Sequence, residues 1–60
     1  MYIVTTTNLG QTFWLRGTTW SFTIERADKF ATRELAQSAL DRAAVFAHKR
    51  IIKASRIIEA

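Results

Sequence analysis

The chain has 60 residues, and among them no cysteine, no proline, a single histidine and only two glycines. Each shortage removes a class of answer. Without cysteine there is neither a disulfide nor a thiolate ligand to brace a small fold. One imidazole cannot supply the three or four ligands that a zinc site needs. Gly10 and Gly17 stand alone, without the glycine-rich spacing and following Lys that cradle phosphates, so no cofactor is expected. No apolar run nears the ~20 residues of a membrane span, and Met1-Tyr2-Ile3-Val4 has no basic segment ahead of an apolar one. Neither a membrane partner nor a secretory leader is therefore expected. Linkers, repeats and low-complexity tracts are missing too, which leaves one domain, residues 1–60. Such a domain hides only ~60% of its unfolded surface, so its core must be thin.

What is present is unevenly placed. Hydrophobic residues make up 48% and charged residues 23%, too apolar a mixture for disorder, so a folded, soluble, intracellular protein is expected. Nine Lys and Arg against five Asp and Glu give a net charge of +4 and a pI of about 10.4. Residues 1–24 carry Arg16 alone, whereas residues 25–60 carry eight positive and five negative side chains. An uncharged front and a charged rear predict strands followed by helix.

The front reads as three strands. Tyr2-Ile3-Val4-Thr5-Thr6-Thr7 is β-branched and aromatic, the composition that suits a pleated surface. Asn8-Leu9-Gly10 predicts a tight hairpin, since Asn and Gly tolerate positive φ. Thr12 to Arg16 is the second strand and Gly17-Thr18-Thr19 the second turn. Trp20-Ser21-Phe22-Thr23-Ile24 alternates strictly, which puts Trp20, Phe22 and Ile24 on one face with Phe13 and Leu15. Trp14 then points to the other face with Thr12, Arg16, Ser21 and Thr23.

The rear opens with Glu25 to Phe30, read as a single helical turn. Thr32 is a good N-cap, and Glu34 follows where a negative charge suits the helix dipole. Leu35, Ala36, Ala39, Leu40, Ala43 and Phe46 or Ala47 then recur at helical steps, predicting an amphipathic helix of three to four turns. The tail admits two readings. As helix, Ala44, Ala47, Ile51, Ala54 and Ile58 continue one stripe; as strand, Arg50 to Ile58 turns Ile52, Ala54 and Ile58 inward. One unbroken helix of some 27 residues would span ~40 Å and overhang five-residue strands. A break near His48 and a returning strand is the preferred reading. The expectation is an α+β domain, a small antiparallel sheet on one helix in the order β-β-β-α-β, with a helical C-terminal segment as the alternative.

The string from Trp20 through Ala27-Asp28-Lys29-Phe30-Ala31-Thr32-Arg33-Glu34-Leu35-Ala36 resembles a pattern in short proteins of phages and prophages. There a hairpin ends in a Trp-containing strand, an Ala-x-x-Phe turn and a Thr-x-x-x-Ala helix start follow, and an Ile/Val-rich strand closes the chain, here Ile51 to Ile58. The resemblance implies that Ala27 and Phe30 tuck under the helix, Thr32 caps it and Ala36 packs on the sheet. It also implies the cytoplasm of a host cell and a host protein as partner, because some such products block host enzymes or defence systems. Anti-CRISPR action is one concrete form.

For chemistry the residues offer little. Ser38, Asp41 and His48 lie near one helical face, but residues seven apart sit two turns, ~10 Å, from each other, beyond the reach of a nucleophile and its base. Enzymatic activity is not expected. Two binding surfaces are. His48-Lys49-Arg50 with Lys53 and Arg56 gathers four positive charges in nine residues without an acid, a patch suited to phosphate backbones or an acidic protein. The plainer alternative is a solvated basic face. Trp14 with Arg16 forms the second, since Trp and Arg are the types most enriched among interface hot spots; the plainer alternative is that Trp14 shields the sheet edge or lies in the core. The expected partner-binding residues are thus Trp14, Arg16, Lys49, Arg50, Lys53 and Arg56. A host protein is the leading partner; the rival is a regulator that binds nucleic acid through the basic C-terminal segment, and the third reading is a virion or replication accessory that self-associates, for instance as a homodimer.

Overall fold

The computed structural model describes all 60 residues. Three strands come first, β1 (Tyr2–Asn8), β2 (Gln11–Arg16) and β3 (Thr19–Ser21), followed by a helix, α1 (Arg33–Ala44), a short helix, α2 (Lys49–Lys53), and a last strand, β4 (Arg56–Glu59). The strands form one sheet in the order β3-β2-β1-β4, every pair antiparallel. This is the expected α+β order, with α2 added before the last strand.

Turn chemistry sets the hairpins. Leu9 at φ 52 and Gly10 at φ 79 both hold positive φ, as the two-residue turn with the right twist requires. Asn8 is not in that turn; it pairs with Gln11 as the last residue of β1. At the second turn Gly17 takes φ 62 between the paired Arg16 and Thr19. Its N–H donates to Asp28 Oδ2 at 2.6 Å, tying this hairpin to the chain that returns beneath the helix.

The third strand is shorter than its alternating sequence suggests. It ends at Ser21, whose hydroxyl accepts from the Thr23 N–H at 3.2 Å and diverts the chain. Phe22 and Ile24 are consequently 70% and 47% exposed and lie outside the core. The helical turn expected over Glu25 to Phe30 is a 3₁₀ turn at Ile24–Arg26 only, and Ala27 is already extended. Beyond it, the Asp28 N–H donates to the Leu15 carbonyl at 3.0 Å, and Tyr2 and Phe30 exchange two bonds at 2.7 and 2.8 Å. Residues 28–30 therefore fill the gap between the start of β1 and the end of β2.

The tail is both of the readings, one after the other. A 12-residue α1 is ~18 Å long, about the length of the sheet, and stops there. His48 is extended and caps α2, its Nδ1 accepting from the Arg50 N–H at 3.1 Å. The Ser55 N–H and hydroxyl both donate to the Ile52 carbonyl as α2 ends. The strand expected over Arg50 to Ile58 thus exists only from Arg56, and Ile57, not Ile58, is the residue packed inward.

The core is small and alanine-rich. Val4 and Leu15 from the sheet meet Ala36, Ala39, Leu40 and Ala43 of α1, with Tyr2, Trp20, Phe30, Ile52 and Ile57 packed around them. Only nine of 60 residues are buried, so the alanines matter: they let α1 lie close enough for so few side chains to close the interior. Thr32 caps α1, its Oγ1 accepting from the Leu35 N–H at 3.2 Å.

Candidate functional site

Residues directly opposed in a sheet project to the same side. Thr5 faces Trp14 across β1 and β2, Trp14 faces Ser21 across β2 and β3, and Thr5 faces Arg56 across β1 and β4. Ser21, Trp14, Thr5 and Arg56 therefore form one row across the sheet. Val4 and Leu15, at the alternate positions, pack against α1, so this row lies on the face away from the helix. Arg16 shares that face, two residues or ~7 Å along β2 from Trp14, and Arg56 stands two strands or ~10 Å away. Both arginines are exposed, while Trp14 is half-buried. Ile3 lies on the same face yet is 1% exposed, so the face is not bare.

The basic tail is not one patch. Thr6, on the helix side of the sheet, donates from Oγ1 to the Ile51 carbonyl at 2.6 Å, and Ile52 packs on the core. Lys49, Arg50 and Lys53 accordingly ride on α2, on the side opposite Trp14. Arg56 sits past the end of α2 and crosses to the other face. Of the six expected residues, the fold gathers Trp14, Arg16 and Arg56 on one surface and Lys49, Arg50 and Lys53 on another. Contiguity in sequence hid this division, because a helix-to-strand change inside nine residues reverses which way the charges face.

Sequence reasoning missed a second cluster. Beside α2, Asn8, Leu9, His48, Arg50 and Ile51 line an open groove of about 230 Å³. On the same side of the sheet Phe13 and Phe22 place their ring centroids 5.0 Å apart at an interplanar angle of 53°. Strand alternation places both on one face with Leu15, and the structure leaves Phe22 exposed there. The signal available was the Ser21-x-Thr23 pattern, whose hydroxyl-to-backbone bonds end the strand before Phe22 can be covered.

The constellation of Ser38, Asp41 and His48 is not brought together. The Asp41 Oδ1 accepts from the Gln37 side-chain amide at 2.9 Å, and His48 is occupied in capping α2. No group of three or more His, Cys, Asp or Glu is placed to hold a metal ion. No helix is long and apolar enough to cross a membrane. No family model matches the chain, and neither a curated protein nor a solved structure does.

Proposed function

We propose that this chain is a non-catalytic binding protein that docks on a partner protein through the Trp14, Arg16 and Arg56 face. The observation that carries the reading is the cross-sheet row itself: a half-buried Trp held between Thr5 and Ser21, with two exposed arginines on the same surface. A Trp fixed by its neighbours loses little freedom on binding, and arginine flanks supply bidentate contacts to carboxylates. None of the strand residues on that face is acidic, so a partner with an acidic surface fits best. The likeness to short phage proteins supports a host protein as that partner, with inhibition or redirection as the effect and blockade of a defence system as one form.

The test is capture from host lysate with wild-type protein and with Trp14→Ala, both first shown to be folded. A specific partner retained by the wild type and lost by the variant supports the reading. A partner retained equally by both, or none at all, sinks it.

A further inference from the structure

We infer that the end of the sheet beside α2 is a separate site, and that it binds single-stranded nucleic acid by stacking bases on Phe13 and Phe22 and holding phosphates with the cations of α2. The inference stands on a surface distinct from the Trp14 face.

The aromatic pair is the first support. Thr6 pairs with Phe13 on the helix side of the sheet, and Phe22 follows Ser21, whose partner is Trp14, so Phe13 and Phe22 are neighbours on that side. α1 lies over β1 and β4 and leaves this corner open, with Phe22 at 70% exposure. One exposed Phe is ordinary, but two rings in mutual contact on an uncovered sheet corner offer adjoining apolar faces. Stacking on such rings suits any base, because every base has a π-face.

The cations lie on the same side of the sheet as the rings. α2 sits directly over Thr6, one strand or ~5 Å from Phe13 and two strands from Phe22. Lys49, Arg50 and Lys53 are all exposed there. The groove next to them adds the Asn8 amide and the His48 imidazole, groups able to bond base edges or phosphate oxygens. The segments that build this end are free of opposing charge, since no Asp or Glu occurs in residues 1–24 or 42–58. Phe46, 75% exposed just ahead of His48, adds a third aromatic at the same end.

Single strands fit better than duplex. A duplex hides the base faces that Phe13 and Phe22 would stack, and it is held mainly by many phosphate contacts. The molecule measures only 28 × 22 × 15 Å and presents three Lys and Arg side chains on α2, enough for a few nucleotides.

The experiment is fluorescence anisotropy with a labelled eight-nucleotide dT or rU oligomer, a duplex of equal length, and anionic lipid vesicles by co-sedimentation. The wild type should bind the single strand more tightly than the duplex. Phe22→Ala should weaken single-strand binding at least ~fivefold, the loss of one stacked base. Arg50→Ala and Lys53→Ala should each flatten log affinity against log salt by ~0.7. Phe22, Arg50 and Lys53 are exposed, so these variants should melt like the wild type, and Trp14→Ala should bind the oligomer unchanged. Absence of oligomer binding at low salt, equal binding by Phe22→Ala, or a preference for duplex overturns the inference. Vesicle binding that needs Phe22, without oligomer binding, makes this end a membrane-surface contact instead. Loss of the protein partner in Trp14→Ala with oligomer binding intact separates this site from the docking face.

Discussion

Leu9 occupies a left-handed position, φ 52, with its side chain 93% exposed. A side chain with a Cβ pays ~1–2 kcal/mol there, and Leu gains nothing back by burial. Asn-Gly is the preferred pair for this turn, so Leu9→Asn should raise stability by about 1 kcal/mol. In a domain this small that moves the melting temperature up by ~4–8 °C. An unchanged or lower melting temperature would mean that Leu9 makes a contact the fold does not display. Phe30 is the opposite case. It packs on the core and bridges Tyr2 through its backbone, but it is only half-buried. Phe30→Ala should therefore cost about 2–3 kcal/mol, below the range for a fully buried Phe. Total stability near ~3–9 kcal/mol makes this a large fraction, visible by thermal or denaturant melting.

At the level of elements, the tail is where sequence and structure part. Its charge pattern and β-branched content fit helix and strand equally, and the chain uses both, changing from one to the other between Lys53 and Arg56. Neither Gly nor Pro marks the change; the Ser55 N–H and hydroxyl bonds to the Ile52 carbonyl close α2, a signal that a lone Ser does not announce in sequence. By contrast, the first two strands, the Thr32 cap and the alanine stripe of α1 were legible, because each is set by neighbours within four residues. The third strand ends three residues before its alternation does, since the alternation continues through Phe22 and Ile24 after the Ser21 and Thr23 bonds have turned the backbone. The candidate site was legible as residue types and not as a surface. Alternation along β2 puts Trp14 and Arg16 on one face, but Arg56 joins them only through the β1–β4 register, which no local pattern reveals. Amide exchange and through-space contacts check this arrangement. Arg56 to Glu59 should show contacts to Tyr2–Thr5, with Val4 opposite Ile57, while helical sequential contacts appear at Lys49–Lys53 and do not run unbroken from Ala44. Continuous helical contacts from Arg33 to Ile58 would refute the strand and dissolve the Trp14 row with it.

For the whole molecule, the sheet separates two sets of positive charge that the sequence joins, and this makes the two surfaces independently testable. Trp14 and Arg56 share a face, whereas Lys49 and Lys53 ride on the helix side. In protein docking a few desolvated anchors carry most of the affinity, so Trp14→Ala should cost ~2 kcal/mol or more of partner binding. Arg56→Ala should act in the same direction, mainly by faster dissociation, as expected for an exposed charge that becomes desolvated when the partner docks. Changing Lys49 and Lys53 to Ala should leave that dissociation rate alone, because they ride on α2, on the opposite side of the sheet from Trp14. Combined with Trp14→Ala, the lysine changes should be additive within the ~0.3–0.5 kcal/mol expected of independent sites. Surface plasmon resonance on the captured partner measures all of these. If the lysine changes speed dissociation as much as Trp14→Ala does, the partner does not sit on the Trp14 face, and α2 becomes the principal docking element.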